Sequence, residues 1–127
     1  MRGINRVLLM GNIGADVEVK HSREGTPIAS FNIAVSEKWK GKDGEDQERV
    51  EWVKIVCFSG VAENCGKYLG KGDTVVVEGR LRSREFEDRE GNKKKITEVI
   101  GDRIYFVNLK RKEGGKGPEA PDDNVPF

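Results

Sequence analysis

The sequence has few of the residues that build metal centres and disulfide frameworks. It contains two cysteines, Cys57 and Cys65, and a single histidine, His21, among 127 residues. Two cysteines are too few for a disulfide scaffold, and neither their spacing nor an isolated histidine matches a metal-binding motif. We therefore expect a reduced, cytoplasmic protein with no metal ion and no cofactor.

Long apolar runs and a strong net charge are also absent. No stretch approaches membrane-spanning length, and the N-terminus lacks the apolar core of a signal peptide. The formal net charge is only +1, but residues 112–127 carry −2 and the remaining 111 residues carry +3. A mildly basic body with an acidic tail is often linked to the binding of nucleic acid or protein partners.

Aromatic residues are scarce, at 7% of the chain, yet one strand pattern holds two of them on the same face. Alternation over residues 50–58 gives an ordinary core face, consisting of Val53, Ile55 and Cys57. The opposite face carries Trp52, Lys54, Val56 and Phe58. Aromatic rings around a cation suit single-stranded nucleic acid, whose bases stack and whose phosphates bind cations. The alternative is a strand buried on both faces in a small closed barrel.

A second strand pattern, over residues 74–86, places a row of arginines on one face. Val75, Val77 and Leu81 share the predicted core face, and the other face carries Arg80, Arg82, Arg84 and Phe86. Like charges at this spacing repel one another unless an anion neutralises them, which again favours a nucleic-acid ligand. The alternative is a solvated edge whose charges prevent aggregation.

The remaining strands are predicted from their apolar positions. Residues 4–13 are apolar on both faces after Arg6, which indicates one core face and one subunit contact, with a bend at Gly11 and Gly14. Phe31, Ile33 and Val35 form the core face of the next strand. Simple alternation would put Trp39 on that face too, but does not settle where its side chain points.

Between and after these strands we predict a loop, a helix and a last strand. Residues 40–49 have no apolar side chain and read as an exposed hairpin loop around Asp43-Gly44. A helix is expected over residues 60–69, with Ser59 as its N-cap. A turn at residues 88–92 precedes Lys93, Lys94 and Lys95, and the last strand runs from residue 96 to 109.

The end of the chain changes composition. Residues 110–121 contain glycine, proline and charge but no core residue, which predicts a disordered linker. In residues 122–127 two acids precede an apolar Val-Pro-Phe ending. A disordered tail does not need apolar residues for its own structure, so this ending suggests binding to a partner. An accidental terminus is the alternative.

The order strand, strand, strand, helix, strand, strand is that of the all-β, five-stranded OB-fold barrel. At this point the chain resembles the bacterial single-stranded-DNA-binding proteins. The resemblance covers residues 1–109, taken as the OB-fold domain, and the terminal motif at residues 122–127. The matching motifs are Asn5-Arg6-Val7, Gly11 to Gly14, Ser36 to Trp39, Glu51-Trp52, Tyr68 to Gly72, Glu78 to Arg82 and Asp122 to Phe127.

The resemblance implies a nucleoid-associated homotetramer that coats single-stranded DNA in replication, recombination and repair and recruits partner proteins through its C-terminal tip. The implied base-stacking residues are Trp39, Trp52, Phe58 and Phe86. Phosphate contacts are assigned to Arg2, Arg6, Lys54, Arg80, Arg82, Arg84, Lys93 and Lys94. Partner binding is assigned to Asp122, Asp123, Val125, Pro126 and Phe127.

The sequence departs from the family pattern at three places. Phe86 stands where a tryptophan is common, Val53 stands where some members carry a histidine at a subunit contact, and the linker is short.

Three other functions fit parts of the pattern. A nuclease would need clustered carboxylates for metal ions or a histidine acid or base, whereas the acids here lie mostly in loops and the tail. An OB-fold adaptor that only docks proteins would have no need of Trp52, Phe58, Arg82 and Arg84 on one sheet. An RNA-binding or primosome-type protein stays open, since nothing in the sequence detects a 2′-hydroxyl.

Overall fold

The structure is a computed structural model that describes residues 2–108. Within that range the elements, in chain order, are β1 Val7–Ile13, β2 Glu18–His21, β3 Pro27–Lys40, β4 Asp46–Phe58, α1 Ser59–Tyr68, β5 Thr74–Glu87 and β6 Lys93–Asn108. The order matches the prediction, with the short strand β2 added. All four residues of β2 are exposed and only Val19 is apolar, so hydrophobic alternation could not reveal it.

The strands form one sheet that closes on itself. Its order is β1-β5-β6-β4-β3-β2, and β1 also pairs with β3 through Asn12↔Ala34 and Ile13↔Ile33. β2 continues along the same edge of β3, so β1 and β2 together act as one bent strand interrupted at residues 14–17. The result is a closed five-stranded barrel with one helix, which confirms the predicted OB-fold.

The seam between β1 and β3 depends on a glycine. A Cβ atom added at Gly11 would overlap the backbone carbonyl oxygen of Ala34, so only glycine allows β1 to pass this close to β3. The bulge or bend predicted at Gly11 and Gly14 is not found at Gly11, because the β1–β5 register runs without a shift from Val7 to Asn12. At Gly14 the strand is interrupted, since β1 ends at Ile13.

Alternate side chains of the strands fill the interior. The interior holds six residues that are buried as predicted, Phe31, Ile33, Ile55, Cys57, Val75 and Val77, and four others, Ile13, Ala29, Val99 and Phe106. Val35 and Val53 are partly buried and pack against this core. Because a fully buried large aliphatic or aromatic side chain contributes about 1.5–3 kcal/mol, these inward faces are the main source of stability.

Helix α1 packs on the barrel through Ala62 and Cys65, followed by Leu69, all of them buried. The predicted helix over residues 60–69 is confirmed to within one residue at each end. The predicted N-cap is wrong, because the N-cap residue is Phe58 and no side chain caps the first turn. Ser59 instead takes φ 58°, a left-handed conformation, as the extended chain of β4 turns into the helix.

The β3–β4 and β5–β6 hairpins continue outward as arms whose outer halves are exposed on both faces. The β3–β4 register is unbroken from Ile28↔Phe58 to Lys40↔Asp46, so the predicted loop over residues 40–49 is wrong in extent. Only residues 41–45 turn, with Gly44 at φ 82°. A strand ladder is held by backbone hydrogen bonds, so it forms with polar side chains as well as apolar ones. The polarity of these residues therefore could not distinguish a strand from a loop.

Two apolar residues depart from their predicted environments. Leu81, assigned to the core face of β5, is 51% exposed because that part of the strand belongs to the β5–β6 arm. Val56, assigned to the outer face of β4, lies there but is buried. It pairs directly with Ile100 of the parallel neighbour β6, which is buried too.

The outer face of β1 is apolar and open. Val7 and Leu9 pack against the core, whereas Leu8 and Met10 are 71% and 54% exposed. Met10 pairs with Val76 of β5, which pairs in turn with Tyr105 of β6. The core face predicted for this strand is confirmed, and its second apolar face is a continuous surface across three strands.

Both cysteines are free and buried. A hydrogen bond with Cys57, together with burial, raises the pKa of the Cys65 thiol, so this thiol stays protonated and unreactive. Among the described residues no helix has the length and apolar character needed to cross a membrane.

Candidate nucleic-acid interface

The outer faces of β4, β6 and β5, which are neighbours in the sheet, carry most of the predicted binding residues. β4 contributes Trp52, Lys54 and Phe58, and β5 contributes Arg82, Arg84 and Phe86, on either side of β6. Trp52 is 61% exposed and Phe86 is 43% exposed. The sheet therefore brings aromatic rings and cations from two distant segments onto one surface.

Trp52 lies against the bend of the first strand. A Cβ atom placed on Gly14 would come within 2.5 Å of Cζ3 and 2.8 Å of Cη2 of the Trp52 ring. The glycine thus leaves room for the indole ring to lie over the backbone. One side of the ring is supported in this way while most of the side chain faces solvent.

Phe58 is half-buried rather than exposed. The guanidinium carbon of Arg82 lies 5.7 Å from the centroid of its ring, within the range of a cation–π contact. Phe58 and Arg82 therefore form a cation–π pair in which the guanidinium lies over the ring.

A buried carboxylate ties the cations together. The side chain of Glu98, on β6, is wholly buried, and its Oε2 accepts hydrogen bonds from Arg82 Nη2 at 2.8 Å, Arg82 Nε at 3.3 Å and Arg84 Nε at 3.0 Å. Its Oε1 lies 3.9 Å from Lys54 Nζ and has no hydrogen-bond partner. For Arg82 and Arg84 the neutralising anion predicted from the arginine row is therefore supplied, in part, within the chain by Glu98.

Burial alone would raise the pKa of Glu98, since it disfavours the charged form. The hydrogen bonds and positive charges of Arg82 and Arg84 outweigh that effect and hold the pKa below its ordinary value. Glu98 is therefore a carboxylate at neutral pH, and it stabilises the fold above the ordinary carboxyl range. That contribution disappears as the pH falls through the lowered pKa.

Arg80 has a separate partner. Its Nε and Nη2 lie 3.4 Å from the two carboxylate oxygens of Asp102, in a pair that is about half exposed on both sides. An exposed pair of this kind contributes little to stability. Of the three arginines predicted to form one row, two share Glu98 and the third is paired elsewhere.

The predicted lysines separate onto two faces of the β5–β6 arm. Lys94 pairs with Phe86 and thus shares the face of the arginines, whereas Lys93 pairs with Glu87 on the opposite face. Both are exposed.

The two predicted arginines near the N-terminus lie before β1. Arg2 is exposed. Arg6 borders a shallow depression together with Glu78 and Arg103. The structure does not group either residue with Trp52 or Phe86.

Trp39 does not share the face of Trp52. The unbroken β3–β4 register pairs Trp39 with Gln47 and Trp52 with Ala34. Directly paired residues share a face and the faces alternate along each strand, so Trp39 lies on the face of Phe31, far out on the arm. It is 48% exposed.

The predicted partner-binding residues, Asp122, Asp123, Val125, Pro126 and Phe127, lie outside the described residues.

The chain is similar in sequence and in fold to known proteins. A model described as the single-strand binding protein family matches residues 4–107. The chain belongs to this family. Single-stranded DNA-binding protein 1 of Xylella fastidiosa (strain 9a5c) is 37% identical over 127 residues, spanning 99% of this chain and 93% of that protein. A solved structure described as the Plasmodium falciparum SSB complex with ssDNA superimposes with a TM-score of 0.79 at 27% identity, covering 85% of this chain and 98% of that one.

Glu98 is the residue of this single-strand binding protein surface that the sequence reasoning missed. A signal for it existed. Folding residues 80–100 into a hairpin about the turn at residues 88–92 places Glu98 opposite Arg82, which is the observed pairing. A lone acid facing a row of arginines across a hairpin predicts an ion-paired cluster.

Replacing Gly14 by alanine tests the packing of Trp52. In a Trp39→Phe background, where Trp52 is the only tryptophan, Gly14→Ala should push the ring off the first-strand bend. We expect a shift of its emission to longer wavelength and stronger collisional quenching by acrylamide, because the ring gains exposure to water.

Gly3→Ala is the matched control, since a Cβ atom at Gly3 meets no atom within 4 Å. Unchanged emission and quenching in Gly14→Ala would show that Trp52 does not rest on Gly14.

Proposed function

We propose that the protein binds single-stranded DNA without strong sequence preference, by stacking bases on aromatic rings and contacting phosphates with cations. One observation carries the proposal. The outer face of β4, β6 and β5 places the exposed rings of Trp52 and Phe86 around the cationic group of Lys54, Arg82 and Arg84. Rings beside cations are the usual means by which proteins hold single strands, and every base offers a face to stack.

In this proposal Trp52 and Phe86 are the main stacking surfaces. Phe58, which Arg82 covers, stacks together with that guanidinium, and Trp39 contacts DNA from the β3–β4 arm. Phosphates contact Lys54, Arg82, Arg84 and Lys94 on the shared face. Arg2, Arg6, Arg80 and Lys93 are assigned to phosphates further along the strand.

The same proposal covers the role in the cell. The protein coats and protects single-stranded DNA on the nucleoid, in the cytoplasm, during replication, recombination and repair. Membership of the single-strand binding protein family and the name of the Xylella fastidiosa relative support the binding of single-stranded DNA on which this role depends.

Trp52→Ala tests the binding surface. Loss of a stacked base contact costs about 1–3 kcal/mol, so affinity for an oligo-dT strand should fall about tenfold or more. The measurement is a titration of tryptophan fluorescence, which should be quenched in the wild type as bases stack on the indoles.

Val50→Ala is the control, because Val50 is exposed on the same face of β4, two positions before Trp52. Absence of quenching with oligo-dT, or equal affinity for duplex DNA, would reject the proposal. Equal affinity for oligo-U would favour the RNA-binding alternative.

We also propose that the chain forms a homotetramer in which the apolar outer face of β1 is one subunit contact. Leu8 and Met10 lie side by side on this face and continue into Val76 of β5. Within residues 2–108, positions 7–10 pair only with β5, so their other backbone edge is available to a second copy. Burial of this apolar surface against a second copy would stabilise the assembly by the hydrophobic effect.

The double substitution Leu8→Lys, Met10→Lys should dissociate the assembly. Both side chains are exposed in the single chain, so folding stability should change by only about 0.5 kcal/mol. Sedimentation velocity should show a smaller species than the wild type at micromolar concentration.

Val50→Lys, at an exposed apolar position on the β3–β4 arm, should leave the assembly intact. A wild type that sediments as a monomer would contradict the proposed tetramer.

A third proposal concerns the C-terminal tip, residues 122–127, which recruits proteins of replication, recombination and repair. Its sequence joins Asp122 and Asp123 to Val125, Pro126 and Phe127. A partner with an apolar pocket and a basic rim would take the ring of Phe127 in the pocket and hold Asp122 and Asp123 on the rim. Pro126 restricts the end of the chain, which lowers the entropy lost on docking.

Deleting Phe127 should abolish capture of replication and repair proteins in a pull-down while leaving affinity for single-stranded DNA unchanged. A deletion of residues 114–117, which shortens the linker but keeps the tip, is the control. The proposal fails if the two deletions capture the same partners, or if loss of Phe127 weakens DNA binding.

A further inference from the structure

Glu98 is an unusual residue to find beneath a binding surface. It faces outward on β6, yet none of its side chain is accessible, while the arginines above it remain 43% and 46% exposed. A carboxylate in this position cannot reach a ligand. Whatever it contributes to binding must act through the cations paired with it, which are Arg82 and Arg84 by hydrogen bonds and Lys54 at 3.9 Å.

The hydrogen bonds leave part of each guanidinium unoccupied. A guanidinium has five N–H groups. Glu98 accepts two from Arg82 and one from Arg84. Three N–H groups of Arg82 and four of Arg84 are therefore left for other acceptors.

We propose that Glu98 is a positioning residue of the single-stranded DNA site, holding Arg82 and Arg84 side by side so that their unoccupied N–H groups meet the phosphates together. The proposal deepens the proposed function and rests on it. Without the carboxylate, two guanidiniums two residues apart on one strand would repel each other and spread over many conformations. With it, they are ordered before the DNA arrives.

Phosphate adds to this arrangement and does not displace Glu98. Displacement would leave the buried carboxylate with Lys54 alone, 3.9 Å from Oε1 and not hydrogen-bonded to it, and removing the hydrogen-bonded partners of a buried charge is strongly unfavourable. Arg82 is also held by the ring of Phe58, 5.7 Å away. Binding that adds to an ordered pair avoids the entropy cost of immobilising two long side chains.

Glu98→Gln separates positioning from charge. The substitution removes a negative charge near the DNA, so electrostatics alone predicts tighter binding. Positioning predicts the opposite: about threefold or greater loss of oligo-dT affinity at 0.5 M salt and above, because the loosened arginines must be immobilised on binding. The slope of log affinity against log salt should not become shallower, since no cation is lost.

Glu85→Gln is the matched control. Glu85 lies on the same arm and loses the same charge, but it faces the other side, paired with Lys95. It should bind at least as tightly as the wild type at every salt concentration. Equal or tighter binding by Glu98→Gln at high salt, with the wild type binding normally, would overturn positioning and leave the proposed function intact. A wild type that does not bind would instead reject the proposed function.

A double-mutant cycle excludes an effect through the fold. In an Arg82→Gln, Arg84→Gln background the further change Glu98→Gln should not weaken binding, because the groups it positions are gone. An equal loss in both backgrounds would show that Glu98 acts on the sheet itself.

The wild type offers a readout that needs no stable variant. In an NMR spectrum the side-chain Nε–H signals of Arg82 and Arg84, both bonded to Glu98, should be protected from exchange with water in the free protein and stay protected when oligo-dT binds. Loss of protection on binding would mean that phosphate displaces Glu98, and would overturn the proposal.

Discussion

Closure of the barrel through two short pairings is the constraint on which the rest of the molecule depends. β1 meets β3 at two positions, and β4 meets β6 in parallel at Ile55↔Val99 and Val56↔Ile100. A closed barrel has a single interior, so each strand has one face for the core and one for the outside. A side chain on the outer face therefore does not pack into the barrel interior. It contacts solvent, its neighbours on the outer surface, another subunit or a ligand.

The sequence predicted what depends on burial. Alternation identified the inward residues of β3 and β4, such as Ile33 and Ile55, because apolar periodicity reports contact with the core. It missed β2 and shortened the β3–β4 arm, because strands exposed on both faces carry no apolar pattern. The face of Trp39 could not be settled by alternation alone, since that requires a register without bulges, which only the pairing of β3 with β4 establishes.

The sequence predicted which residues form the candidate site but not the ion pairs among them. Alternation along β5 placed Arg82 and Arg84 on one face, but a single strand cannot show what lies across from it. The structure pairs both with Glu98, so their charge is partly neutralised before any ligand arrives. The net charge of the cluster is +2, from the three cations Lys54, Arg82 and Arg84 and the one carboxylate of Glu98. This excess positive charge is available to bind phosphates.

The pairing of β1 with β5 has a consequence for how the chain is made. Val7 to Asn12 find their partners at Thr74 to Gly79, more than sixty residues later in the sequence, whereas the β3–β4 and β5–β6 hairpins join neighbouring segments. Local hairpins close with little loss of chain entropy and distant strands close late. During synthesis the four consecutive apolar side chains from Val7 to Met10 have no β5 partner until that later strand has been translated. The outer strand β1 is thus translated early but is among the last strands to be covered.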